Sequence, residues 1–296
     1  MNIYSQINSN KLKTWIIIVL FIVFITTILY VYGKATGYGL SFAGIALIIS
    51  GIISFVSYYY SDKMILGMSG AKQIKKSDNP KFFRVVENLS IAAGLPMPKV
   101  YIINDSAPNA FATGRDPKHA VICATTGLID KLTDIELEGV IAHELSHIKN
   151  FDIRVMSIVS ILVGLVALLA DFFMRSMWYS GDSDRNKGSG QTIFLAIGIA
   201  LAILSPIIAT LIQLSVSRKR EFLADASGVL LTRYPEGLAS ALEKISSDKE
   251  PLEAANNATA HLYISSPLKN IKKHWFSSLF NTHPPIQERI KILRSM

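Results

Sequence analysis

Four long stretches without a single charged residue constrain this chain more than any other feature. They run Thr14 to Gly33, Ala35 to Ser61, Val155 to Ala170 and Gly188 to Ser217. A helix needs about 20 predominantly apolar residues to cross the hydrocarbon core of a bilayer. The first stretch exceeds the roughly 7–15 apolar residues of a signal peptide, and no small-residue cleavage site is evident. The second ends on Tyr58, Tyr59 and Tyr60, side chains suited to the membrane–water boundary. The third is shorter and closes at Asp171, which reads as an interfacial residue; in the fourth, Pro206 predicts a kink and not a break. Two membrane hairpins are therefore expected, residues 1–60 and 155–217, alternating with polar segments at 61–154 and 218–296. For the second pair alone, a buried helical hairpin of a soluble domain is the competing reading.

The cations indicate which side the polar segments occupy. Lys11 and Lys13, then Lys63, Lys72, Lys75 and Lys76, then Lys149 and Arg154, then Arg218, Lys219 and Arg220 flank the same side of successive crossings. The opposite loops hold Lys34, and Arg175, Arg185 and Lys187 diluted by Asp171, Asp182 and Asp184. The positive-inside rule then places both termini and the polar segments in the cytoplasm of a multi-pass plasma-membrane protein. A formal charge of +8 does not point to nucleic acid, because the cations form no stripe or binding motif. They fit the surface of a lipid bilayer better. Cys123 is the one cysteine, so an internal disulfide and a thiolate metal site are both excluded.

The segment from Ser61 to Arg154 reads as mixed α/β. Asn79 to Ala93 has a helical pattern with Phe82, Val86 and Leu89 on one face, and strands are expected at Lys99 to Asn104 and His119 to Thr126. Thr133 and Glu136 form a capping box ahead of a helix that continues through His147, with Ile141, Leu145 and Ile148 as its core-facing stripe. After residue 217 further helices are broken near Pro235 and again between Ser246 and Pro251.

The capped helix carries the chemistry. His143-Glu144-Leu145-Ser146-His147 is an HExxH motif, and residues four apart share a helical face, so both imidazoles can reach one ion. Glu144 falls beside that ion without coordinating it, placed to take a proton from a metal-bound water and pass it to the leaving amine. Zinc is the expected cofactor, one ion per subunit, because it accepts imidazole and carboxylate tetrahedrally and lowers the pKa of its water to about 7. A catalytic zinc also needs a third protein ligand and one open position. With no second cysteine and no histidine at the extended-motif spacing, a carboxylate is required. Glu221 is the best candidate, with Asp225 one turn on to accept the free N–H of a ligating imidazole. Glu250 and Glu253 are the fallback ligands. Between His147 and Glu221 lies little besides the second pair of apolar stretches, and a hairpin returns the chain to the side it left.

HELSHIKNFD, REFLADA and THPPIQERI together resemble the HtpX-type membrane heat-shock proteases, in the wider family that includes the CAAX prenyl endoproteases. The resemblance covers most of the chain. It implies zinc held by His143, His147 and Glu221, Glu144 as base, and cleavage of membrane or misfolded proteins in stress-related protein quality control. Asn109, Ala110 and Phe111, with Ala112 to Gly114, resemble the family's substrate-side loop, with His119 to Thr126, Val121 included, as the edge strand beneath it. An extended peptide adding to such an edge gains main-chain hydrogen bonds without sequence demands. His283 and Arg289 match the C-terminal motif, where an N–H donor aimed at the scissile carbonyl would stabilise an oxyanion. The expected fold class is mainly α, α+β: four transmembrane helices plus a cytoplasmic zincin-like metalloprotease domain with a small β-sheet. A zinc hydrolase of a non-protein substrate such as a lipid amide is the alternative, distinguished by its need for a deep apolar pocket. A non-enzymatic membrane scaffold has no reason to keep Glu144.

Overall fold

The structure is a computed structural model and describes residues 3–35, 39–179, 218–255, 259–267 and 284–296. Two long helices open the chain, α1 (Ile3–Ala35) and α2 (Gly39–Met68). Ser50, Ser54, Ser57 and Ser61 of α2 are buried, small side chains that let neighbouring helices approach closely. On the outside, Trp15, Val19 and Val23 of α1 and Ile48, Ile52 and Phe55 of α2 are all more than half exposed. An uncovered apolar surface of that extent suits lipid and not water. Among the described residues, Ile7–Thr27 of α1, 21 residues, is the stretch long and apolar enough to cross a membrane by length and composition. The expected third stretch forms the first part of α6 (Asp152–Tyr179), which runs on past Asp171; the expected fourth, 188–217, lies outside the described residues. Val155, Ile158, Val159, Leu162 and Val166 of α6 pack on Ile17, Ile18, Phe21 and Ile25 of α1.

Between α2 and α6 lies a small sheet with helices around it. Strands β1 (Lys72–Gln73), β2 (Lys99–Ile103), β3 (Ala110–Gly114) and β4 (Ala120–Thr125) take the order β1-β2-β4-β3. The pairs β1·β2 and β3·β4 are antiparallel and β2·β4 is parallel, with Phe111 opposite Cys123 and Lys99 opposite Val121. This corrects one expectation: the run from His119 is not the edge. Residues 110–114 pair onto β4 from outside and become the edge strand themselves, leaving Val121 in the middle of the sheet. Every residue of β3 is buried, so Ala-Phe-Ala-Thr-Gly shows none of the apolar–polar alternation that marks a half-exposed strand.

Helix α3 (Pro80–Ala93) starts from an Asn79 cap, and a short α4 (Thr126–Lys131) follows the sheet. The central element is α5 (Asp134–Lys149). Its capping box forms as the sequence suggests: the Thr133 N–H donates to Glu136 Oε2 at 2.8 Å and the Glu136 N–H to Thr133 Oγ1 at 3.4 Å. Ile141, Leu145 and Ile148 are buried, yet so is nearly everything from Glu136 to Ile148. The helix is enclosed on all sides, which is why no single apolar stripe dominates it. Enclosure depends on Gly139, where a Cβ would lie 2.6 Å from the Leu238 nitrogen. Helices α7 (Arg218–Thr232), α8 (Pro235–Ser247) and α9 (Ile286–Leu293) complete the domain, and Leu238, Leu242, Ile290 and Leu293 join the core around α5.

Candidate metal centre

Helix α5 presents His143 and His147 one turn apart, rings edge-to-face with centroids 4.7 Å apart and their Nε2 atoms separated by 3.2 Å. Helix α7 lies directly against this turn. A Cβ on Gly228 would stand 3.2 Å from the His143 nitrogen, so the absence of a side chain there lets the two backbones approach. Glu221, in the first turn of α7, thereby reaches the imidazoles: Oε2 lies 3.8 Å from His143 Nε2 and Oε1 3.5 Å from His147 Nε2. The three side chains are buried, and one donor atom from each lies within 4.8 Å of the others.

Each imidazole is held from behind. Asp225 Oδ1 is 2.9 Å from His143 Nδ1, and Asp152 Oδ2 is 3.1 Å from His147 Nδ1. A carboxylate on Nδ1 selects the tautomer with its proton there, so both Nε2 lone pairs turn toward the Glu221 carboxylate. Acceptors facing one another in a buried space call for a cation. A tetrahedral zinc with bonds of about 2.0–2.1 Å sets its ligand atoms about 3.3–3.4 Å apart, close to the spacings seen. The donor set therefore fits zinc. Burial opposes charging His147, but Asp152 and the charges of Glu221 and Glu144 raise its pKa to about 9. Burial and Arg289 lower that of His143.

Glu144 is buried beside the pair and accepts a hydrogen bond from the backbone N–H of Ala112 in β3. Burial, helped by Glu221, raises its pKa to about 7, although His147 and Arg289 pull the other way. A base poised there can accept and release a proton near neutrality.

Arg289 lies against the ligands, fully buried, with Nη1 3.5 Å from Glu221 Oε2. Its guanidinium donates to both oxygens of Asp225, at 2.9 and 2.7 Å, and to the Ile264 carbonyl at 3.1 Å. It thus holds the carboxylate that holds His143. His283 lies outside the described residues. Asn109, Ala110, Phe111 and Val121 are all buried: the Asn109 amide donates to the Ser265 carbonyl, the Ala110 carbonyl accepts from the Ile264 N–H, and Phe111 packs edge-on against Tyr263. Of the substrate-side run, Ala112 is the residue whose backbone meets Glu144. Glu250 and Glu253 are exposed, and Glu250 accepts from the Ser106 hydroxyl at 2.6 Å, so neither joins the cluster.

Two groups escaped sequence reasoning. Asp152 is five residues beyond His147, outside any helical spacing, and Asn10 precedes the first apolar run. Asp152 Oδ1 accepts from Asn10 Nδ2 at 2.8 Å and from Arg220 Nη1 at 3.3 Å.

Fold and site together define a zinc metallopeptidase built on an HExxH helix. Residues 76–296 match the model of peptidase family M48. Proteins named Protease HtpX homolog are 48% identical over 99% of this chain in Dictyoglomus thermophilum and 47% over 99% in Tropheryma whipplei, covering 94% and 98% of those relatives. The one from Streptococcus uberis is 44% identical over 99% of this chain and all of its own length. A crystal structure of S. mikatae Ste24p shares the fold, with a TM-score of 0.51 at 21% identity over 91% of this chain and 62% of that longer one. The chain belongs to peptidase family M48.

Proposed function

We propose that this protein is a membrane-embedded endopeptidase of the plasma membrane that cleaves membrane or misfolded proteins in protein quality control. In this reading it has four transmembrane helices, two hairpins at 1–60 and 155–217, and a cytoplasmic catalytic domain assembled from 61–154 and 218–296. The exposed apolar faces of α1 and α2 support membrane embedding. The Lys and Arg placement supports the cytoplasmic side.

His143, His147 and Glu221 hold one zinc ion, Asp225 and Asp152 orient the imidazoles, and Glu144 is the base. When bound, zinc supplies Lewis acidity, lowering the pKa of a water and polarising the scissile carbonyl. Glu144 takes the proton of the attacking water at its carboxylate and delivers it to the departing amine nitrogen. A peptide lying along the outer edge of β3 near Ala112 would bring its carbonyl to Glu144 by displacing the bond that the Ala112 N–H donates there, and main-chain pairing demands no particular sequence. Asn109, Ala110, Phe111 and Val121 then shape that strand from within the sheet, and Arg289 acts through Asp225 and on Glu221 directly. His283 remains the proposed oxyanion donor on resemblance alone.

The observation that carries this reading is the juxtaposition of the buried triad, Glu144 and the β3 edge. Its test is Glu144→Gln, which should keep zinc and lose casein and membrane-protein cleavage by about 10²–10⁴-fold. Wild-type rates from the zinc-loaded variant would remove Glu144 as the base.

A further inference from the structure

We infer that Asn10, on the first membrane helix, is a positioning residue of the metal centre, so that α1 is part of the site and not only its anchor. The inference rests on the reading of His147 as a zinc ligand. Asn10 is 1% exposed, although it lies on the N-terminal side of the long apolar run. Three of the four hydrogen-bonding valences of its amide are used. Nδ2 donates to Asp152 Oδ1 at 2.8 Å and to the Asn150 carbonyl at 2.9 Å, and Oδ1 accepts from Arg220 Nη1 at 3.3 Å. These partners lie 140 to 210 residues away and come from the end of α5, the start of α6 and the start of α7. A neutral amide can serve here because it donates to a carboxylate and accepts from a guanidinium at once.

The turn it grips is strained. Phe151, between Asn150 and Asp152, has φ of +60°, a conformation costly for an aromatic residue. That turn swings the Asp152 carboxylate back beneath His147, and α1 holds it from both sides. Asn10 takes the Asn150 carbonyl, while the Lys11 ammonium rests 4.9 Å from the Phe151 ring centroid. A backbone held this way fixes where Asp152 Oδ2 stands, and so the orientation of the His147 ring. An outer hydrogen-bond partner tunes a metal ligand by this route.

The full-length chain in detergent or lipid discs allows a direct test. Zinc affinity is measured by chelator competition, and the visible spectrum of the cobalt-substituted protein reports ligand geometry. Asn10→Ala and Asn10→Asp should each weaken zinc about 10-fold, the lower end for loss of an outer partner, and shift the cobalt bands. The Asp variant keeps size and the link to Arg220 but replaces the N–H donor with an oxygen that repels Asp152, so a loss there reports the polar contact with Asp152 and not helix packing. The exposed Asn8→Ala serves as the control and should match wild type. Turnover should show a lowered kcat with KM unchanged, and Asn10→Ala added to Asp152→Ala should cost nothing more. Wild-type zinc affinity and cobalt spectrum in a folded Asn10 variant, a change confined to KM, or additive losses in the double variant would each overturn the inference. A wild-type protein that binds no zinc would instead bring down the metal reading itself.

Discussion

The two imidazoles of the centre are held by carboxylates of different provenance. Behind His143, Asp225 is gripped by the two-pronged Arg289 guanidinium, at 2.7 and 2.9 Å, and every member comes from polar segments of the chain. Behind His147, Asp152 begins the helix that enters the second hydrophobic region. It is held by a neutral amide from α1 at 2.8 Å and by Arg220 at 3.3 Å. The first arm is a buried charge pair closed by the last helix of the domain. The second is a mixed network that closes only when α1 lies against α6. One half of the metal centre is therefore internal to the helices around α5, and the other half depends on α1 being in place.

The largest effect should come from the group both arms share. Glu221→Ala leaves two imidazoles for the ion, and zinc content and cleavage should fall together to background. Retention of zinc and activity would place the third ligand elsewhere and dissolve the comparison.

Next in size is the difference between the arms. Arg289→Met leaves the Asp225 charge buried without its main partner and should cost about 3–5 kcal/mol in folding stability. Arg220→Met should cost less, since Asn10 still donates to Asp152. Equal losses in thermal or denaturant unfolding would mean the arms are equivalent. Asp225→Ala and Asp152→Ala should each lower zinc affinity about 10–100-fold. Only the Asp152 arm should respond to changes in α1, read by chelator competition.

The smallest effect concerns the helix that both arms share. Glu136 loses some ease of ionisation through burial, but the Lys244 ammonium, the Ser240 hydroxyl and the Thr133 donors outweigh it and lower its pKa to about 2. A depressed folded pKa means this stabilisation is full above the ordinary carboxylate value, near 4.5, and is lost as pH falls through about 2. Glu136→Gln should therefore lower stability by about 1–2 kcal/mol at neutral pH, as expected for a damaged helix cap. The gap to wild type should close between about pH 4.5 and 2, measured by unfolding at each pH. A gap independent of pH would assign the stabilisation to packing instead.

How much of this was legible differs between the arms for a physical reason. His143, Glu144 and His147 could be read because a helix repeats every 3.6 residues, and the spacing of its face is written in the sequence. Thr133 and Glu136 announced the start of that helix for the same local reason. Glu221 and Asp225 followed from counting the ligands zinc needs and from a hairpin's return to its starting side. The edge strand was misplaced because β3 is buried on both faces and its residues carry no alternation. Asp152 and Asn10 were out of reach for another reason. A left-handed residue at Phe151 redirects the chain within two positions, and no periodicity encodes that turn. Arg289 was visible as a motif residue, but its place behind Asp225 was not. The sequence by itself determined the catalytic helix, the chemistry of its ion and the apolar helix of α1, because each is a short-range pattern. The tertiary structure alone decided which side chains stand behind each ligand. Those contacts join residues up to 210 positions apart, through backbone approaches such as Gly228 against His143 that only the packed chain brings about.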